Sequence, residues 1–178
     1  MLRHLIRLCT VLLLALPAWA LADEYRVELV VFEQSGAAGN EVLTVDETTL
    51  PVRETLGTLP ASADDPASLQ LGPIAYTLDR RGYPVLLHTA WVEKVGGRQN
   101  ENWYRVATGR LEGVIRVRRG RFLHFDSDLL LRTGQGQPIH AASSRRMRST
   151  EVHYIDHPRL GIIVRIDPYT SPATKPTP

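Results

Sequence analysis

The stretch Arg145–Asp167 reads RRMRSTEVHYIDHPRLGIIVRID, and its reading decides the fold. Apolar and polar residues alternate from Met147 to Ile155, while Leu160–Ile166 is nearly all apolar. Between them lies Asp156-His157-Pro158-Arg159. Pro158 fixes its own φ and biases His157 away from the α region, so the segment forms a turn. Two β-rich runs joined by such a turn predict an antiparallel hairpin. Its tip gathers four ionisable side chains: Glu151, His153, Asp156 and His157.

Working outward, Tyr25–Glu33 (YRVELVVFE) is β-rich throughout. Tyr25, Val27, Leu29 and Val31 share one face, and Val30 and Phe32 make the other apolar. That is the pattern of an interior strand covered on both sides. Gln34–Pro66 is a long, polar, acidic connection, read as a surface loop with a turn of helix near Thr49–Leu56. Pro66–Leu78 suits a helix capped by Asp64 or Asp65, but Gly72-Pro73 interrupts it. The helical core is therefore expected over Pro73–Arg81, stopping near Gly82, with Leu69, Ile74 and Leu78 buried. Tyr83–Val95 predicts a strand with Tyr83, Val85, Leu87, Thr89 and Trp91 on one face. Trp103–Val106 starts another. Leu111–Arg118 and Arg121–Leu131 form a second hairpin around Arg119-Gly120. Gly113 falls on its apolar side, where a neighbour approaches closely. Thr133–Ala142 reads as a loop. The order favours a single α+β domain with a mainly antiparallel sheet and at least one packed helix. A partly closed barrel with one packed helix is the closest alternative.

The N-terminus supplies an address. Arg3, His4 and Arg7 precede an apolar run from Leu8 to Leu16, then Pro17-Ala18-Trp19-Ala20 and Leu21-Ala22. A basic start, a short apolar core and small residues before the cut predict a signal peptide over residues 1–22, cleaved after Ala20 or Ala22. The run is too short for a comfortable membrane span, so no stable transmembrane segment is expected after cleavage. The only cysteine, Cys9, leaves with it, which excludes disulfides and cysteine-held metals. One domain is expected over residues 23–168, with a long 34–66 loop and a Pro/Thr-rich tail over 169–178. Charge is uneven: residues 23–79 carry eleven acids against Arg26 and Arg53, whereas residues 80–178 carry seventeen Lys and Arg against eight acids. A basic face follows if the fold keeps those segments apart.

Several constellations invite a chemical reading. Glu151, His153, Asp156 and His157 are suitable zinc ligands by type, but their spacing matches no catalytic zinc motif. A hydrogen-bonded turn, with a neutral His157 held locally, explains them more simply. Asp126 and Asp128 share a strand face without a partner across a groove. Ser143 and Ser144 sit in no nucleophile elbow. Neither an enzyme nor a metal or other cofactor is expected. The aromatic residues Trp91, Trp103 and Tyr104, with Arg116, Arg118, Arg119 and Arg121, offer flat apolar faces and positive forks. Together they suit a sugar-rich, carboxylate-bearing polymer. A secretion signal and the absence of a nucleic-acid motif argue against nucleic acid.

The sequence resembles the CsiV family of secreted peptidoglycan-binding proteins. Glu151-x-His153-Tyr154-x-Asp156-His157-Pro158-x-x-Gly161 is similar to its C-terminal signature. Tyr25–Phe32 resembles its first strand. Leu78, Tyr83 through Leu87, His88 and Trp91 resemble its middle pattern, and Leu111-x-Gly113, Phe122-Leu123-His124 and Leu129 its next hairpin. Glu93 departs from the Gln expected there, and Phe122 stands where Tyr is frequent. The resemblance implies a non-catalytic periplasmic accessory protein that binds peptidoglycan and supports cell-wall synthesis and cell shape. It further implies work alongside a peptidoglycan synthase and that synthase's outer-membrane lipoprotein activator. It transfers no ligand-contact residues. The alternative is a protein-interaction module regulating envelope machinery without direct glycan binding.

Overall fold

A computed structural model describes residues 24–34, 56–59, 69–96, 102–134 and 138–170. The expected signal peptide, most of the 34–66 loop with its helical turn, the Asp64 or Asp65 cap and the end of the tail lie outside the described residues. The chain order is β1 (Glu24–Glu33), β2 (Leu56–Thr58), α1 (Gly72–Arg80), β3 (Val85–Lys94), β4 (Trp103–Thr108), β5 (Leu111–Arg119), β6 (Leu123–Leu131), β7 (Ile139–Met147), β8 (Val152–His157) and β9 (Leu160–Pro168). One sheet runs β3-β1-β9-β8 and the other β2-β4-β5-β6-β7. Their pairings are antiparallel except for the short parallel ladder between β2 and β4. The α+β class is as expected, but neither sheet closes into a barrel.

The alternation of β1 explains the layering. Tyr25, Val27, Leu29 and Val31 join Trp91, Ile115, Val117, Phe125, Leu129, Leu131, Ile162, Val164 and Ile166 in one core between the sheets. A fully buried Leu, Ile or Phe there contributes about 1.5–3 kcal/mol by leaving water. Val30, Phe32 and Ile163 point the other way and pack against Leu71, Ala75, Ile74 and Leu78 of the helical segment. The result is three layers: helix, four-stranded sheet, five-stranded sheet.

The helix starts without a side-chain cap of its own. Glu28, buried in β1, supplies one from across the layer. Its carboxylate accepts the Leu71 and Gln70 backbone N–H groups at 2.8 and 2.9 Å and meets His88 Nε2 at 2.9 Å. A negative charge against the first free amides of a helix satisfies donors and complements the dipole. At the other end Gly82 adopts φ 82°, and its N–H and that of Tyr83 close back on Asp79 and Leu78.

Four local expectations are corrected. The alternating run Met147–Ile155 is not one strand. Met147 ends β7, and residues Arg148–Glu151 form a turn in which Thr150 takes φ 68°. The Thr133–Ala142 loop gives way to strand at Ile139, because this Ala- and Ser-rich segment pairs along the whole of β6. Its small side chains carry little β-propensity, so backbone pairing decides. The second strand of that hairpin starts at Leu123, leaving Arg121 and Phe122 in the turn. In β3, Val31 faces Leu87 while Phe32 faces Val85, so a bulge at Leu86 places Val85 and Leu87 on opposite faces. Val85 therefore packs under the helix.

Candidate ligand-binding site

At one end of the core the β5–β6 turn faces the β7–β8 turn. The first is held by Arg119 N–H donating to Gly96 O at 2.9 Å and Gly120 N–H to Phe122 O at 2.9 Å. The second is held by Thr150 N–H donating to Ile166 O at 2.9 Å. Between them opens a cleft of about 590 Å³, floored by Tyr25, Leu123 and Met147 and walled by Arg119, Arg121, Phe122 and Arg148. A second hollow of about 410 Å³ adjoins it, sharing Arg148 and Glu151 and adding Arg145, Arg146 and His153. The strand pattern explains the convergence. Register sets Arg146 opposite His124 and Met147 opposite Leu123, which brings the basic end of β7 beside the β5–β6 turn.

Five arginines thus surround one acid, Glu151. The Arg148–Glu151 pair spans 3.6 Å with both side chains well exposed, so it contributes little. Phe122 is 40% exposed, and the Arg146 and Arg121 guanidinium carbons lie 4.7 and 5.5 Å from its ring centre. Arg119 approaches the Tyr25 ring and donates to its hydroxyl at 3.3 Å. Stacking on Phe122 holds the Arg121 and Arg146 guanidinium forks in an orientation suited to meeting carboxylates in pairs.

The residues expected to bind ligand divide. Arg119 and Arg121 enter this cleft. Arg116 and Arg118 lie on the outer face of the five-stranded sheet, each donating through Nε to Asp126 at 2.8 Å. Burial alone would raise the Asp126 pKa, but hydrogen bonds from Arg118, Ser144 and Arg116 outweigh it and hold the carboxyl below the usual carboxylate range. Trp103 is 6% exposed, with Arg116 4.4 Å above its ring. Trp91 is 1% exposed and donates its indole N–H to Glu93 at 2.9 Å inside the core. Tyr104, half-buried, gives its hydroxyl to the same Glu93 at 3.0 Å. Trp91 and Trp103 are thus buried, and Tyr104 is half-buried with its hydroxyl engaged by Glu93. Phe122, Arg145, Arg146 and Arg148 were legible as an aromatic and a basic run, but β7's unrecognised pairing hid their meeting with Arg121.

The signature at the β8–β9 hairpin splits between two faces. His153 Nε2 accepts the Arg148 N–H at 3.1 Å on one face. Tyr154 and Asp156 lie on the other, joined by a 2.6 Å hydrogen bond. His157 Nδ1 accepts the Arg159 N–H at 3.3 Å, which requires that nitrogen to be unprotonated. Burial holds the His157 pKa below the usual histidine value, against the pull of Asp156. Among the described residues, no three His, Cys, Asp or Glu side chains are grouped to hold a metal.

A two-layer sheet domain with a basic, aromatic-walled cleft at one end defines a ligand-binding module. The chain matches the family model described as "Peptidoglycan-binding protein, CsiV" over residues 38–169. That span is well over half the chain, and the protein belongs to the CsiV family. Membership gives it a periplasmic, peptidoglycan-binding accessory role. Comparisons with curated proteins and with solved structures gave no match. Among the described residues, no helix is long and apolar enough to cross a membrane.

Proposed function

We propose that the cleft between the β5–β6 and β7–β8 turns is where this protein holds peptidoglycan, with its arginines engaging the carboxylates of the peptide stems. The observation that carries the reading is that Arg119, Arg121, Arg145, Arg146 and Arg148 line two adjoining hollows whose shared acid is Glu151. Guanidinium forks match carboxylates two bonds at a time, and Phe122 adds a flat apolar wall for a sugar or a stem side chain. In the cell this binding supports a peptidoglycan synthase and its outer-membrane lipoprotein activator, the partners that the family resemblance implies. The test is co-sedimentation with purified sacculi across a salt series. Replacing Arg121, Arg146 and Arg148 together by Ser is expected to weaken retention roughly tenfold at low salt, since exposed ion pairs contribute about 0.2–1 kcal/mol each. Wild-type retention should itself fall with salt. Equal retention by a variant of matched stability would remove the cleft from the binding surface. A wild-type protein that ignores sacculi but still binds envelope proteins would favour the interaction-module alternative.

A further inference from the structure

A second surface lies on the other side of the four-stranded sheet, beside the helix. Its foundation is Gly161. Any Cβ there would come within 2.1 Å of the Phe32 ring, so the missing side chain is the space that Phe32 fills. Tyr154 lies nearly parallel to Phe32, at 15° with centroids 6.3 Å apart, and Tyr83 meets Phe32 edge-on at 6.0 Å. Phe32 is buried, but Tyr154 and Tyr83 are 47% and 38% exposed. The Tyr154 ring is also fixed. Its hydroxyl donates to Asp156 Oδ1 at 2.6 Å and accepts from Gln34 Nε2 at 2.8 Å, while the same Gln34 amide donates to Asp156 at 2.9 Å. An exposed ring so pinned loses little freedom on binding, which is what a stacking platform requires.

The charges around the platform differ from those of the cleft. Arg159 and Arg110 both engage Glu33, and Arg165 engages Asp167 at 2.8 Å. Asp156 adds an exposed carboxylate at the rim. These charges balance, so this surface lacks the excess of arginine that would draw a carboxylate-bearing stem. It suits a neutral chain with flat C–H faces and hydroxyl donors: rings cover the former and Asp156 accepts from the latter.

We infer that Tyr154, Tyr83 and Asp156 form a second binding site, for the neutral N-acetylated sugar chain of peptidoglycan, distinct from the arginine cleft. The inference rests on the proposed peptidoglycan reading and divides the polymer between two surfaces. The probes are intact sacculi and peptide-free glycan strands released from them by an amidase. Wild type should be retained on peptide-free strands at low and high salt alike. Tyr154→Ser should weaken that retention about five- to tenfold, the scale of one lost aromatic contact. Tyr154→Phe keeps the ring and should keep most of the binding. The triple arginine variant should hold peptide-free strands as wild type does. If Tyr154→Ser does not fold, Tyr83→Ser carries the same test. Retention on intact sacculi without retention on stripped strands would overturn the platform and leave the cleft standing. Binding to stripped strands that Tyr154→Ser leaves unchanged would also overturn it. So would a change in solution mass on Tyr154→Ser, which would make the surface a contact between copies of this chain. The opposite pattern, stripped strands bound and the arginine variant equal to wild type on intact sacculi, would sink the cleft and leave the platform.

Discussion

Gly113→Ala is expected to destabilise the protein by about 4 kcal/mol, from backbone strain and overpacking together. Gly113 sits in the middle of β5 with φ 152°, a conformation that L side chains rarely adopt. A Cβ there would stand 2.2 Å from Asp128 O and 2.8 Å from Leu129 Cα, both backbone atoms of the paired strand β6. A flexible side chain could swing aside, but a strand held between β5 and β7 cannot. Relief requires opening the β5–β6 ladder, which carries Ile115, Val117, Phe125 and Leu129 into the core. Equilibrium urea unfolding of both proteins checks this. A loss below about 1 kcal/mol, the ordinary range for a point substitution, would show that the strand pair yields easily.

Gly113 also shows what the sequence made legible. Its place on the apolar side of an alternating strand already pointed to a close neighbour, and the neighbour is the β6 backbone. The same period-2 logic located β1, β5, β6, β9 and both faces of β1, because buried faces on both sides of a strand leave little freedom in register. Helix α1 was legible from Pro73 and Gly82, which act locally. The misses have non-local causes. β7 is mostly Ala, Ser and Arg, and its pairing with β6 makes it a strand. The bulge at Leu86 appears as one residue too many between Val31 and Phe32 of the partner, something β3 alone does not encode. Glu28 carries no local sign of its role, which is to close the helix start and meet His88. At the site, the arginine-rich turn was visible, but its nearest allies came from β7. Trp91, Trp103 and Tyr104 drew attention by residue type, although two of the three are buried and the third spends its hydroxyl on Glu93.

Glu93→Gln is expected to stabilise the protein by about 3 kcal/mol above neutral pH and by little below pH 4.5. Glu93 faces the core from β3, opposite Tyr25 of β1. It is 6% exposed, and it accepts from two neutral donors, the Trp91 indole and the Tyr104 hydroxyl. Burial pushes its pKa from 4.5 up to about 7, while those two hydrogen bonds pull the other way and do not prevail. The sign follows from proton release. Below pH 4.5 the carboxyl is protonated in both folded and unfolded chains, and stability is at its full value. Between 4.5 and 7 the unfolded chain gives up the proton and the folded chain keeps it, so stability falls by about 1.4 kcal/mol per pH unit. Above 7 both are ionised, and the loss of about 3 kcal/mol is complete. Gln cannot ionise. Its carbonyl still accepts from Trp91, and its amide can donate to Tyr104 if that hydroxyl turns acceptor, so the neutral network survives. Urea unfolding of both proteins at pH 4.5, 6 and 8 measures the difference directly. The two stability curves should start together and separate as pH rises, with the gap level above pH 7. Curves that stay parallel over this range would mean that Glu93 ionises in the folded protein as easily as in water, through a rearrangement that brings it solvent or a cation.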